Sequence, residues 1–258
     1  MAKRNPERRM SLSGHLRELR NRLYWSALFI ATASVGGWFL FEPVFDVLQK
    51  PFKALAATEQ ISATIIFSTV SAPFDLRMQV SIFLGLILAS PFWLYNLWAY
   101  IAPALNLKTR RIAITFVSAA TPLFLSGCYL AWTLIPTFVR SLLSFTPEGS
   151  SANISANDYI LFTLRILIVF GIALVLPAVL LLLNFLGVLS AGTILKGWRL
   201  AVFIAAVIAA LATPVSDPMS MLLLAVPLIA LYFFAALLAK LLERRKAKAT
   251  PTEPTSDV

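Results

Sequence analysis

Six long stretches without a charged residue dominate this chain, and a protein built from them has lipid rather than water as its solvent. They run from Leu23 to Phe41, Met78 to about Ala104, Ile112 to Val139, Ile166 to Leu195, Leu200 to Ala212 and Met219 to Ala239. Crossing about 30 Å of hydrocarbon takes roughly 17 to 25 residues at about 1.5 Å per residue, a length that all but the fifth stretch reach. The fifth stops at Thr213-Pro214 and must thin the bilayer or bury itself among neighbours. Composition agrees, with 59% hydrophobic and 13% charged residues, against about 25% charged in a soluble domain. The predicted fold class is an all-α polytopic membrane protein of six transmembrane helices. Approximate spans are 23–41, 78–104, 112–139, 160–189, 198–213 and 218–240, in one domain over 11–240 between a basic tail at 1–10 and a disordered tail at 241–258.

The basic residues set the orientation. The N-terminal segment holds Lys3, Arg4, Arg8, Arg9, Arg17, Arg20 and Arg22, and the C-terminal tail Lys240, Arg244, Arg245, Lys246 and Lys248. The second and fourth connections add Lys108, Arg110, Arg111, Lys196 and Arg199, leaving only Lys50, Lys53, Arg77, Arg140 and Arg165 for the opposite side. The positive-inside rule then places both termini in the cytoplasm, which an even number of spans satisfies. The net charge of +10 is therefore an adaptation to anionic lipid headgroups. Nucleic acid is not the expected partner, because the cations are not interleaved with aromatics along a soluble face.

One cysteine, Cys128, and one histidine, His15, exclude a disulfide framework and a His/Cys metal site within the chain. No cofactor is expected, and no Gly-x-x-x-x-Gly-Lys-Ser/Thr loop is present for a nucleotide. The first stretch is followed by Phe39-Leu-Phe-Glu-Pro43 rather than a small-x-small cleavage signal, so it is expected to remain attached. Glu42 to Ala72 reads as short amphipathic helices broken by Pro51, Ser141 to Asp158 as a loop, Pro214 to Pro218 as a tight turn, and the chain from Lys246 onward as disordered. Pro91, Pro122, Pro136, Pro177 and Pro227 punctuate the spans; kinked helices of this kind form a concave, cupped bundle. Trp93, Tyr95, Trp98 and Tyr100, with Tyr129 and Trp132, are expected to be interface anchors.

From Ser11 to Leu23 the apolar residues fall at 12, 16, 19 and 23, the spacing of one helical face, so an amphipathic helix leads into the first span. Glu18 is a lone acid among Arg17, Arg20 and Arg22. Two roles are open to it. It can pair with Arg22 one turn on, or it can offer its carboxylate to a cationic ligand, where two parallel hydrogen bonds match a guanidinium fork better than an ammonium.

Three segments, in register, resemble the family of the twin-arginine translocase C subunit, TatC. They are His15-Leu-Arg-Glu-Leu-Arg-Asn-Arg-Leu23, Ser90-Pro-Phe-Trp-Leu-Tyr-Asn-Leu-Trp-Ala-Tyr-Ile-Ala-Pro-Ala-Leu105 followed by Arg110-Arg111, and Thr213-Pro-Val-Ser-Asp217. The resemblance covers about residues 11 to 240. It implies a receptor in the bacterial cytoplasmic membrane, not an enzyme, for folded cargo whose signal peptides carry two consecutive arginines. Transport would be driven by the proton-motive force with single-span TatA- and TatB-type partners, the chain forming a homo-oligomer within the receptor complex. The implied signal-peptide site is cytoplasmic and comprises Glu18, Arg20, Leu23, Tyr100 and the position of Thr109. Pro51, Phe74, Thr213 and Asp217 are candidates for the outer cap or partner contacts.

The chain also departs from the family pattern. Thr109 stands where a second carboxylate is usual, and its hydroxyl accepts a hydrogen bond without supplying charge. Val175 replaces a membrane-embedded glutamate and Met221 a polar amide, both at candidate partner positions. Arg165, about seven residues into the fourth span from Asp158, lies roughly 10 Å deep. Such a charge is a functional candidate, with snorkelling to headgroups as the alternative. A small-molecule or ion transporter using the concave face is the rival reading, but transporters mark their route with intramembrane acids that these spans lack. A membrane enzyme would need a nucleophile–base pair or metal cluster that one histidine cannot supply.

Overall fold

Helices account for most of the chain in the computed structural model, which describes residues 12–58, 63–101, 107–144, 152–185, 189–212 and 218–249. They are α1 (Leu12–Phe39), α2 (Phe41–Thr58), α3 (Ala72–Leu88), α4 (Ser90–Ile101), α5 (Leu107–Leu143), α6 (Ala156–Phe185), α7 (Ala191–Lys196), α8 (Trp198–Ala212) and α9 (Pro218–Ala249). Two four-residue strands, β1 (Ala63–Ile66) and β2 (Ala152–Ser155), pair in parallel with Ala63 opposite Ala152. Among the described residues, Ser118–Leu142, Ala156–Asn184 and Met221–Arg244 are each long and apolar enough to cross a membrane. The pairs α1 with α2 and α3 with α4 meet that condition as bent pairs, and α8 is a shorter apolar helix.

The chain divides into two compact units, Met1–Glu42 with Arg77–Thr121 and Pro43–Leu76 with Pro122–Val258. In the first, the amphipathic start and the apolar run of α1 form one continuous helix of 28 residues. It meets α3 through small residues. A Cβ on Gly37 would stand 2.7 Å from the Ser81 carbonyl, and one on Gly85 would overlap the Ser34 hydroxyl. Close backbone approach of this kind replaces the hydrophobic drive that lipid does not supply. Arg77 closes the C-terminal end of α1. Its Nη2 donates to the Trp38 carbonyl at 3.3 Å, its Nη1 lies 3.8 Å from a Glu42 oxygen, and its guanidinium sits over the Trp38 and Phe41 rings. A cation beside terminal helix carbonyls is favourable, a role that its count among outer charges did not reveal.

In the second unit the core lies where α5, α6 and α9 bury their apolar faces, including Phe124, Ile135, Leu164, Phe170 and Leu224. Gly127 and Gly171 bring α5 and α6 together: a Cβ on Gly127 would be 2.5 Å from the Phe170 carbonyl. Helix α6 packs on α9, and α9 on α7 and α8. Glu243 ties this end. Its Oε1 accepts from Asn184 Nδ2 at 2.6 Å and from the Ala191 amide at 2.7 Å, while Ser190 caps α7.

Three local expectations are corrected. Pro51 does not break the first long connection; α2 runs through it. Proline removes one amide donor and crowds the carbonyl four residues back, but here Leu48, Pro51 and Phe52 are buried. The Tyr159 hydroxyl donates to the Leu48 carbonyl at 3.0 Å, and its ring lies 5.4 Å from that of Phe52, so tertiary packing holds the turn. The segment from Ser141 to Asp158 is not all loop, since α5 continues to Leu143 and β2 pairs with β1 before α6 begins. Helix α9 extends through Lys246 to Ala249, because alanine, lysine and arginine are good helix formers.

Candidate functional site

Pro91 sets the geometry of the first unit's site. It has no amide hydrogen for the Ile87 carbonyl, and the chain turns by 59° between α3 and α4. The Trp93 indole donates to the Leu86 carbonyl at 2.9 Å across that bend, so this ring is a hydrogen-bonded lock as well as an apolar side chain. The bend lays α4 along α1. Polar and aromatic contacts hold the pair: Asn96 Nδ2 donates to Ser26 Oγ at 3.1 Å, Ser26 Oγ donates to the Arg22 carbonyl at 2.9 Å, and the Phe29 and Phe92 rings stack 4.4 Å apart.

Between the two helices remains a largely apolar hollow of about 350 Å³. Leu19, Arg22, Leu23 and Ser26 line it from α1, and Trp93, Asn96, Leu97 and Tyr100 from α4. At its edge Arg22 Nε and Nη2 both donate to Glu18 Oε1, at 3.0 and 2.6 Å. The intrahelical pair left open by the sequence is therefore formed, with the acid on the N-terminal side, the better order for such pairs. It engages only one carboxylate oxygen. Oε2 is buried and accepts no hydrogen bond among the described residues. A buried acceptor without a donor is costly, so a cation that reached Oε2 would be stabilised there while Oε1 kept Arg22.

Of the expected signal-peptide residues, Leu23 and Tyr100 are brought together in the hollow, and Glu18 joins them through Arg22. Arg20 is exposed and is not part of the lining. Thr109 falls in the first turn of α5, its side chain outside the described residues. Pro51 and Val175 are buried, Arg165 and Met221 half-buried, and Phe74 exposed. Thr213 and Asp217 lie outside the described residues. Among the described residues, no three His, Cys, Asp or Glu side chains cluster as a metal would require. Ser26, Trp93 and Asn96 were not singled out as site residues. Small polar residues at helical spacing on two apolar runs were the available signal for Ser26 and Asn96, since such residues bond between membrane helices.

Residues 14–227 match the model of the Sec-independent protein translocase protein TatC family. The Xylanimonas cellulosilytica protein of that name is 40% identical over 94% of this chain and 88% of its own length. The Bacillus subtilis translocase protein TatCy is 30% identical over 95% of this chain and 94% of its own. A crystal structure of the twin-arginine translocase receptor TatC superposes with a TM-score of 0.78 at 31% identity, covering 88% of this chain and 98% of that one. A predominantly helical architecture with several membrane-length helices is thus shared with a solved protein-translocase component, in a family that is not one of enzymes. The chain belongs to the TatC family of multi-pass membrane proteins of Sec-independent protein translocation.

Proposed function

We propose that this chain is the signal-peptide receptor subunit of a twin-arginine translocase, and that the α1–α4 hollow receives the peptide. Glu18 binds one guanidinium of the arginine pair through Oε2, and the apolar walls at Leu19, Leu23 and Leu97 accept side chains that follow the arginines. The observation that carries this reading is a carboxylate with one oxygen bonded and the other buried and unengaged, beside an apolar hollow. Planar guanidinium suits that acceptor, with Tyr100 offering a ring face to the same cation. Thr109 adds hydrogen bonding without charge, so the hold on the second arginine is weaker than a paired-carboxylate site would give.

Six spans with both termini in the cytoplasm of a bacterium place the α1–α4 site at the inner leaflet, where exported proteins arrive. Partner subunits of the TatA and TatB type, with a second copy of this chain, complete the translocase, which draws on the proton-motive force. Anionic lipids surround its basic ends. The 1–10 segment and the chain after Ala249 flank the membrane domain, and Arg165 contributes as an intramembrane charge.

Binding of a twin-arginine peptide to the full chain tests the site. Glu18→Ala is expected to weaken binding by about 1.5–3 kcal/mol, the worth of a hydrogen bond to a charged group, while membrane insertion persists. Unchanged affinity would show that another group recognises the arginines.

A further inference from the structure

The second unit encloses another hollow, of about 360 Å³, between α6, α8 and α9. Leu176 and Leu180, Ala201 and Ile208, and Leu228 and Tyr232 form its three walls. Its volume lies within the roughly 300–1,000 Å³ of small-ligand sites. Among the described residues Tyr232 brings the only polar side chain to this lining, and its hydroxyl donates to the Ile194 carbonyl. A polar solute finds no charged or amide partner on these walls; hydrocarbon finds a continuous apolar surface.

Cations stand just beyond one end. From Ala201 to Ile208 the α8 wall extends about 10 Å. Arg199 precedes that wall by two residues on α8, and Lys196, at the end of α7, follows Ile194 by two; both side chains are exposed. The Tyr232–Ile194 bond fastens this end of the hollow to α7. Helix α8, with 15 residues, spans about 22 Å against roughly 30 Å of hydrocarbon. A spanning helix of that length would leave the hydrocarbon beside it mismatched. A protein helix, at about 10–12 Å across, is too wide to enter a recess of this size, whereas an acyl chain is narrow and apolar.

We infer that this hollow holds one acyl chain of an anionic phospholipid, whose phosphate rests on Lys196 and Arg199. The assignment requires the chain to be membrane-embedded but does not depend on signal-peptide recognition at α1–α4. Native mass spectrometry of the full chain, titrated with phosphatidylglycerol or phosphatidylcholine of identical acyl chains, tests it. The wild type is expected to retain one phosphatidylglycerol, and Ala205→Phe, which projects a ring into the hollow, to weaken that retention by about tenfold or more. Lys196→Gln with Arg199→Gln is expected to lower phosphatidylglycerol retention to the phosphatidylcholine level. Both variants keep twin-arginine peptide affinity.

Undiminished phosphatidylglycerol retention by folded Ala205→Phe overturns the acyl-chain site. Should that variant fail to fold, the two-residue surface variant decides, because an unchanged preference for phosphatidylglycerol overturns the assignment. A filled hollow that keeps its lipid yet loses a co-purifying single-span subunit overturns it in favour of a protein helix.

Discussion

Helices α5 and α6 approach closely enough at Gly127 for backbone to meet backbone, whereas α1 and α4 meet through side chains that leave space between them. At the first crossing Gly127 lies against the Phe170 carbonyl and the Gly171 Cα, Gly171 lies against the Phe124 ring and the Cys128 sulfur, and Phe124 and Phe170 are almost completely buried. At the second, an amide–hydroxyl bond, a ring stack and an ion pair surround a hollow. Lipid gives no hydrophobic push between helices, so tight packing supplies stability. An underpacked, partly polar contact is a place for a ligand. The molecule thus separates a tightly filled crossing from an open one.

The largest effect that can break this contrast is Gly127→Val. Its Cβ would press on the Phe170 carbonyl, and overpacking of a filled crossing costs about 3 kcal/mol. Thermal unfolding in detergent checks it; an unchanged midpoint would show that α5 and α6 can part freely. Trp93→Phe keeps an aromatic side chain but removes the bond to Leu86. It is expected to lose about 1 kcal/mol of stability and to lower twin-arginine peptide affinity, because the bend presenting α4 loosens. Equal affinity would mean that Pro91 alone fixes the bend. The smallest effect concerns the pair at the hollow's edge. Arg22→Gln frees Glu18 Oε1 as well, and peptide affinity is expected to rise by about 0.3–0.5 kcal/mol, the worth of an i,i+4 helical ion pair. A fall in affinity would make Arg22 part of the receptor surface rather than a competitor for it.

The apolar part of this architecture was legible in the sequence because long uncharged runs have one physical outcome in lipid. Helices α6 and α9 fall on such runs, and Pro91 marked the bend. What escaped depended on distant contacts. Pro51 signals a break, and only Tyr159, more than a hundred residues later, explains why α2 continues. The pairing of Ala63 with Ala152 is equally non-local. Spacing alone made the Glu18–Arg22 pair possible, but it could not tell that the pair would use one carboxylate oxygen and leave the other enclosed. Trp93 resembled an interface anchor because an indole's affinity for that zone conceals which carbonyl it serves.

Photo-crosslinking from positions 23 and 97, on opposite walls of the α1–α4 hollow, tests the central claim most directly. With the full chain in membranes, a signal peptide bearing Arg-Arg is expected to crosslink from both positions, and the same peptide bearing Lys-Lys from neither above background. Equal crosslinking by the two peptides, or crosslinking of the Arg-Arg peptide only at sites away from the hollow, would contradict it.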